Sequence, residues 1–242
     1  MNLIIEQGNT LTKVAVFCDS EIKASYTYSI LNIDVLMPLF ADFDLKRGIL
    51  STVIHPDKDV VKFLKSKLIN FIVLNEDTLV PIIVEYNSRK TLGQDRLAAV
   101  VGAFFMSPEK DVLVIDAGTA ITYEFISASG VYLGGNISPG MTTRFKALNY
   151  YTERLPLLKE EDSFPEIGNN TNNAIVAGVV KGIIYEMDGY IDDYKSKYPL
   201  LLIFLTGGHS FYFERRLKNT IFADINLVLR GLNRILEYND EN

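Results

Sequence analysis

The chain has 242 residues, 48% of them hydrophobic and 22% charged, with a formal net charge of −6. That length and mix suit one large globular domain or two smaller ones, each with its own core. The acidic balance argues against nucleic-acid binding by phosphate neutralisation, but not against nucleotide binding, which needs only local positive charge and oriented N–H groups.

In chain order, Leu3–Phe17 predicts a hairpin that continues through a turn at Asp19-Ser20 into a third strand ending near Ser29. Asn32 to Phe43 carries apolar residues at helical spacing, Gly48 to Ile54 is a β-branched strand run, and Asp57 opens a second helix. Ile69–Leu74 and Pro81–Tyr86 read as strands, and Leu92–Met106 as a helix closed by Pro108. A second hairpin follows in Val112–Ile126, then a strand over Val131–Gly135, a loop Asn136–Gly140 and a helix Met141–Tyr151. Lys159–Thr171 reads as a polar, mobile loop. A long helix from Thr171 to about Tyr194, a strand Leu200–Leu205, a helix, a short strand Thr220–Ala223 and a last helix from Asn226 complete the chain. The alternation favours an α/β sheet with helices on its faces.

The two hairpins match each other. Sliding one by 110 positions pairs Glu6 with Asp116, Gly8 with Gly118, Asn9 with Thr119 and Thr12 with Thr122. Repetition at that scale indicates a duplicated unit, with halves expected at 1–109 and 110–242. Facing each other, the two turns would form a cleft of carboxylates, hydroxyls and amide N–H groups. In Glu6-Gln7-Gly8-Asn9-Thr10, Gly8 lets the backbone approach a phosphate, and Lys13 adds positive charge; alone, the same residues make an ordinary polar turn. No GxxxxGK[ST] P-loop occurs.

Asp95 and Arg96, after Gly93-Gln94, could be helix capping, yet an Arg in a first helical turn opposes the dipole. A proton-accepting carboxylate beside an anion-gripping Arg suits a kinase. Asp116 reads as a general base, a cation ligand or a turn carboxylate, in surroundings that suit Mg²⁺ or a monovalent ion. Thr206-Gly207-Gly208, at a strand end, would let a nucleotide lie against backbone, or make a plain turn. Thr171 reads as an N-cap, with substrate contact as the alternative, and His209 as structural.

Cys18 is the one cysteine, so no intramolecular disulfide forms, and it reads as a structural thiol. With only His55 and His209, a zinc site of the usual ligands is not expected. The first ten residues lack a signal-peptide pattern, and no apolar run nears the roughly 20 residues a spanning helix needs. A cytoplasmic protein with no membrane and no nucleic-acid partner is the expectation.

In combination, the turn Glu6–Lys13, Tyr86, G-x-D-R at Gly93–Arg96, D-x-G-T-A-x-T at Asp116–Thr122, YLGG-x-I-x-PG at Tyr132–Gly140 and Asn170-Thr171 resemble the type III pantothenate kinases of the actin/Hsp70/sugar-kinase superfamily. The resemblance spans nearly the whole chain. It implies an α/β fold of two similar ribonuclease H/actin-like domains with a cleft between them. It also implies ATP-dependent phosphorylation of the pantothenate 4′-hydroxyl, the first step of coenzyme A synthesis. Asp95 would be the proton acceptor, while Tyr86, Gly93, Gln94, Asp95, Arg96 and Thr171 would hold pantothenate. Glu6, Gln7, Gly8, Asn9, Thr10, Leu11, Thr12, Lys13 and Thr119 would bind ATP, with Mg²⁺, and Asp116 would hold K⁺ or NH₄⁺. A homodimer is implied, in which Thr171 acts across the interface.

Glu6 departs from the family's usual Asp, which lengthens the arm by one C–C bond of about 1.5 Å and bears on metal geometry. Met141–Phe145 is less apolar than the family pattern. Two rival readings are a superfamily kinase or phosphatase acting on a sugar or carboxylate, and a non-catalytic nucleotide-binding regulator. G-x-D-R with Tyr86 weighs against the first, and Asp95, Arg96, Asp116 and Thr119 weigh against the second.

Overall fold

Leu3, Ile4 and Ile5 are all fully buried because their strand, β1 (Asn2–Gln7), runs through the middle of a sheet with both faces covered. The computed structural model describes residues 1–241. Its first sheet has the order β3-β2-β1-β4-β5, with β2 (Thr12–Cys18), β3 (Glu21–Tyr28), β4 (Arg47–Thr52) and β5 (Asn70–Val73). The first three strands form an antiparallel meander, and β4 and β5 add in parallel. The crossover helices are α1 (Ile33–Asp42) and α2 (Lys58–Lys67). Their starts are set by Asn32 and Asp57, whose side chains accept backbone N–H bonds of the first turn. Leu36, Leu39, Val60 and Leu64 of these helices share one core with Leu3, Ile5, Val14 and Val16. Fully burying each such side chain contributes about 1.5–3 kcal/mol.

Two further helices, α3 (Gln94–Met106) and α7 (Leu227–Glu241), pack on each other and on β4, and α7 also packs on β1. Polar contacts anchor α7 as well. Asn2 Nδ2 donates to Asn233 Oδ1 at 2.9 Å in the interior, Asn233 donates to the Asp19 carbonyl at 3.0 Å, and Arg47 pairs with Asp240. The helices meet at a pair of glycines: a Cβ on Gly231 would lie 1.8 Å from the Ala98 carbonyl oxygen, and one on Gly102 would lie 2.4 Å from that of Leu227.

The second sheet repeats the first strand for strand. Its order is β9-β8-β7-β10-β11, with β7 (Val112–Ala117), β8 (Ala120–Ile126), β9 (Val131–Pro139), β10 (Leu202–Thr206) and β11 (Phe222–Ala223). The two-residue β6 (Ile83–Val84) pairs in parallel with Val131 and Tyr132 at the start of β9. Helices α4 (Met141–Tyr150), α5 (Thr171–Lys197) and the short α6 (Ser210–Glu214) cover this sheet, and Phe145, Val180, Ile183 and Phe213 join Leu113, Ile115 and Tyr123 in its core. This is the α/β, two-sheet architecture expected from the sequence. No described helix is long and apolar enough to cross a membrane.

Several elements differ from the sequence reading. Two compact units are present: residues 1–108 with 130–132 and the chain from Asn226 onward, and residues 109–129 with 133–225. A single break at 109/110 counts the last helix with the second half, whereas α7 packs with the first. The strand β9 runs through Pro139, so Asn136–Pro139 continues the sheet. The N-cap of α5 is Asn170, whose side chain accepts from Asn173 N at 2.9 Å; Thr171 is the first helical residue.

The 110-residue offset holds only up to the turn. In the first hairpin Gln7 faces Thr12 and Glu6 faces Lys13; in the second Ala117 faces Ile121 and Asp116 faces Thr122. The second turn is one residue shorter, closed by Gly118 N to Ala120 O rather than by Gly8 N to Leu11 O. Lys13, not Thr12, therefore occupies the place of Thr122.

The glycine contact yields a stability prediction. Gly231→Ala should lower stability by about 2–3 kcal/mol through overpacking, a melting-point drop of roughly 5–10 °C for a chain of this size. Gly189→Ala is the control, because a Cβ there meets nothing within 4 Å. Calorimetry should show it neutral or stabilised by up to about 1 kcal/mol.

Candidate active site

Glu6 is the last residue but one of β1, with Lys13 opposite it on β2 and Ser51 beside it on β4. Its carboxylate lies 3.8 Å from Lys13 Nζ. Burial pushes the Glu6 carboxyl above its ordinary range; Lys13 pulls it back, and the charge of Asp95 pushes it up further. Asp95 is thus close enough to act on Glu6 electrostatically. The turn Gly8–Leu11 carries exposed Asn9, Thr10 and Leu11, whereas Thr12 is buried and Gln7 accepts a bond from Thr52 at 3.1 Å.

Asp95 and Arg96 stand in the first turn of α3, whose N-cap Gly93 contributes no side-chain bond. Asp95 Oδ1 accepts the Arg96 backbone N–H at 2.8 Å, and a Cβ on Gly93 would sit 2.6 Å from that oxygen. The glycine thus leaves room for the carboxylate to fold back over the helix start. Arg96 is buried in spite of the helix dipole because aromatic rings receive it. Its guanidinium carbon is 5.6 Å from the Tyr86 ring centre, and Nη2 is 3.5 Å from the Tyr132 hydroxyl. Tyr86 and Tyr132 are themselves parallel, 6.3 Å apart with planes 7° off. Gln94 donates to the Leu92 carbonyl, while its Oε1 is buried with no donor. Such an acceptor is suited to a ligand N–H or O–H.

Within the second unit, Asp116 lies between Thr122 on β8 and Thr206 on β10, each directly opposite it in register. Residues paired in this way share a sheet face. Both threonine hydroxyls are buried without a hydrogen-bond partner, as is that of Ser210. Gly207, with φ +92°, allows the approach, since a Cβ there would lie 2.4 Å from Asp116 Oδ1. Thr119 is exposed, and its carbonyl accepts from Gly140 N at 3.0 Å and from Thr143 Oγ1 at 2.8 Å. Thr171 lies elsewhere in this unit, exposed on an apolar groove of about 860 Å³ between α4 and α5. The His209 backbone N–H bonds to the Ala117 carbonyl at 3.1 Å, and its ring Nε2 lies 4.0 Å from Glu160.

The donor set discriminates between metals. Among the described residues no three His, Cys, Asp or Glu side chains cluster, so no all-protein cage for a divalent ion is formed. One carboxylate with unpartnered hydroxyls fits a weakly hydrated monovalent cation, and Mg²⁺ fits where nucleotide phosphates and water complete its shell. Sequence reading leaves out Tyr132 and Ser210 as site residues, and takes Thr206 with Gly207 and Gly208 for backbone access to a nucleotide rather than for its hydroxyl. Tyr132 lies within the quoted YLGG stretch; nothing marks Ser210.

The family model described as type III pantothenate kinase matches residues 2–193. A type III pantothenate kinase of Phocaeicola vulgatus is 49% identical over 241 residues, covering 100% of both chains. The chain belongs to the type III pantothenate kinases. A relative of that name from Porphyromonas gingivalis is 44% identical and covers 98% of both chains. Among solved structures, a Campylobacter jejuni protein assigned to the Baf family of transcriptional activators is 26% identical with a TM-score of 0.63, covering 99% of this chain and 100% of that one. The activator of the 2-hydroxyisocaproyl-CoA dehydratase of Clostridium difficile, with bound ADPNP, shares the fold at a TM-score of 0.52 and 14% identity, over 99% of this chain and 94% of that one.

Glu6 gives this pantothenate kinase a signature in pH. A carboxyl raised by the fold binds its proton more tightly when folded, so its contribution to stability falls as pH rises from the ordinary value of 4.5 through the raised one. Glu6→Gln removes that loss. Urea unfolding should show the variant gaining on the parent between pH 4.5 and 8, and a constant difference would disprove the shift.

Proposed function

We propose how these residues carry out the activity of the family, ATP-dependent phosphorylation of pantothenate at the head of coenzyme A synthesis. Asp95 takes the proton of the 4′-hydroxyl as its oxygen bonds to the γ-phosphorus; the bond from that phosphorus to the β,γ-bridging oxygen breaks, and ADP leaves. The observation that carries this reading is the helix start at Gly93–Arg96. There a carboxylate accepts the Arg96 N–H, the buried Arg96 guanidinium lies against a stacked tyrosine pair, and the Gln94 amide oxygen is unpartnered. Arg96 and Tyr86 hold the substrate, with Gly93 giving backbone access and Gln94 a hydrogen bond.

The Glu6–Lys13 turn binds the phosphates of ATP: Gly8 admits them, Asn9, Thr10 and Thr12 donate to them, and Lys13 offsets their charge. Gln7 and Leu11 hold the turn's shape, and Thr119 is a further nucleotide contact. Mg²⁺ held by the ATP phosphates would supply charge neutralisation at the transferring phosphoryl group. Asp116, supported by the Thr122 and Thr206 hydroxyls, holds K⁺ or NH₄⁺. The enzyme works in the cytoplasm without nucleic acid or membrane.

The test is ADP release by purified protein with pantothenate, against sugars and acetate, in KCl and in NaCl. Pantothenate-dependent turnover, faster in KCl, is expected. Asp95→Asn should lower kcat by at least about 10²-fold, the lower range for a lost general base, with pantothenate affinity by calorimetry changed less than twofold. Near-normal turnover of that variant would remove Asp95 as the base.

A homodimer is part of the same reading, with Thr171 completing its partner's site. The groove between α4 and α5 supports it, being almost wholly apolar and floored by Ala174, Ile175, Gly178 and Val179. Gly178→Glu should convert the dimer to monomer in sedimentation and abolish turnover, whereas a variant that stays dimeric would exclude this face.

A further inference from the structure

Arg144 is a charged side chain beside an apolar groove, four residues past the end of the Tyr132–Gly140 motif. Its guanidinium is engaged three ways. Nε donates to the Pro139 carbonyl at 2.8 Å, Nη2 donates to Ser138 Oγ at 3.0 Å, and Nη2 also pairs with Glu186 of α5. Glu186 in turn accepts the Tyr123 hydroxyl at 2.7 Å, and Tyr123 lies fully buried on β8, stacked on Tyr190 at 3.9 Å. Burial pushes the Glu186 carboxyl up, but the bonds from Arg144, Tyr123 and Ser138 outweigh it and hold the group below its ordinary range. Glu186 is therefore a charged acceptor at neutral pH, with its partners fixed.

What Arg144 fixes is a corner of backbone. Ser138 and Pro139 end β9, Gly140 caps α4, and the next contacts reach the turn after Asp116. Gly140 N and Thr143 Oγ1 both donate to the Thr119 carbonyl, and a Cβ on Gly140 would fall 2.2 Å from the Gly118 carbonyl oxygen. The turn and the corner are therefore in backbone contact. A movement of the corner by a few tenths of an ångström must move Gly118 and Thr119.

We infer that Arg144, braced by Glu186 and Tyr123, is a positioning residue that sets the Asp116–Thr119 turn for nucleotide and monovalent cation through the Ser138–Gly140 corner. This rests on the reading of that turn as their site. The planar fork of Arg reaches a carboxylate, a hydroxyl and a carbonyl at once, which a lysine ammonium on a flexible stem does not reproduce.

The test measures KM for ATP, half-activation by K⁺, kcat and melting temperature on the full-length enzyme. Arg144→Lys keeps the charge and should raise KM for ATP and the K⁺ requirement by about three- to tenfold, with kcat within about twofold. Arg144→Met with Glu186→Leu and Tyr123→Phe replaces the ion pair and the hydroxyl that bonds to it by apolar groups. That triple variant should regain thermal stability lost in Arg144→Met alone, yet keep the raised KM, because nothing then holds the Pro139 carbonyl. An unchanged KM in Arg144→Lys, or an apolar set that restores KM along with stability, would overturn the inference. Asp116→Asn separates it from the reading beneath it. If that variant leaves ATP and K⁺ dependence untouched, the turn is not the site and the inference falls with it. If Asp116→Asn disturbs both and Arg144→Lys neither, only the role of Arg144 fails.

Discussion

The chemistry of this chain depends on one constraint, that the first strand of each sheet is flanked by two others at its carboxyl-terminal tip. A strand order of 3-2-1-4-5 places the second strand on one side and the fourth on the other. The acidic residue at the tip is therefore defined by two cross-strand partners, not by its own turn. For Glu6 these are Lys13 and Ser51, and for Asp116 they are Thr122 and Thr206. One frame, used twice, thus yields an ion pair in one case and a ring of oxygens in the other. A carboxylate beside an ammonium suits a place that must receive phosphate charge, and a carboxylate among hydroxyls suits a cation.

The first unit adds what the sheet lacks, a rigid mount for Asp95. Helix α3 presents its amino-terminal turn because its body is clamped on α7 at Gly102 and Gly231, where backbones touch and no side chain intervenes. Close packing of this kind transmits position along the helix. At its amino-terminal end, the cost of the buried Arg96 against the helix dipole, up to about 2 kcal/mol in partly buried geometries, is offset by ring contacts of similar size. Position and charge are thus secured by different interactions, and loss of one leaves the other standing.

Most of the fold was legible because it rests on short-range patterns. The apolar runs Leu3–Ile5 and Val112–Ile115, the caps Asn32 and Asp57, and the helical spacing of Leu97, Val100 and Val101 each report on their own neighbourhood. The shared order of strands was legible too, since a duplicated unit repeats its pattern. What escaped depends on pairing across distance. The turn that is one residue shorter leaves no local mark, so a constant offset equates Thr12 with Thr122 although register places Lys13 there. The terminal helix reads as the next element of its half, and contacts distant in sequence, among them the buried Asn2–Asn233 bond and the two glycines, show that it belongs with the first. The unpartnered hydroxyls of Thr206 and Ser210 were out of reach for the same reason, being defined by what surrounds them in space.

Glu6 shows how the frame absorbs a departure. With Asp at this place, the carboxylate would stand closer to its own strand; the extra methylene carries it about 1.5 Å farther out. In the structure that reach brings it within 3.8 Å of Lys13, in a site buried enough to push the carboxyl above its ordinary range. A carboxylate so placed is weakly hydrated and already shares an ammonium, which makes it a poor direct ligand for Mg²⁺, an ion that keeps its waters. It is better placed to orient Lys13 and to accept a hydrogen bond from a metal-bound water. In the proposed reading, the longer side chain would leave Mg²⁺ to the nucleotide, and its effect falls on Lys13.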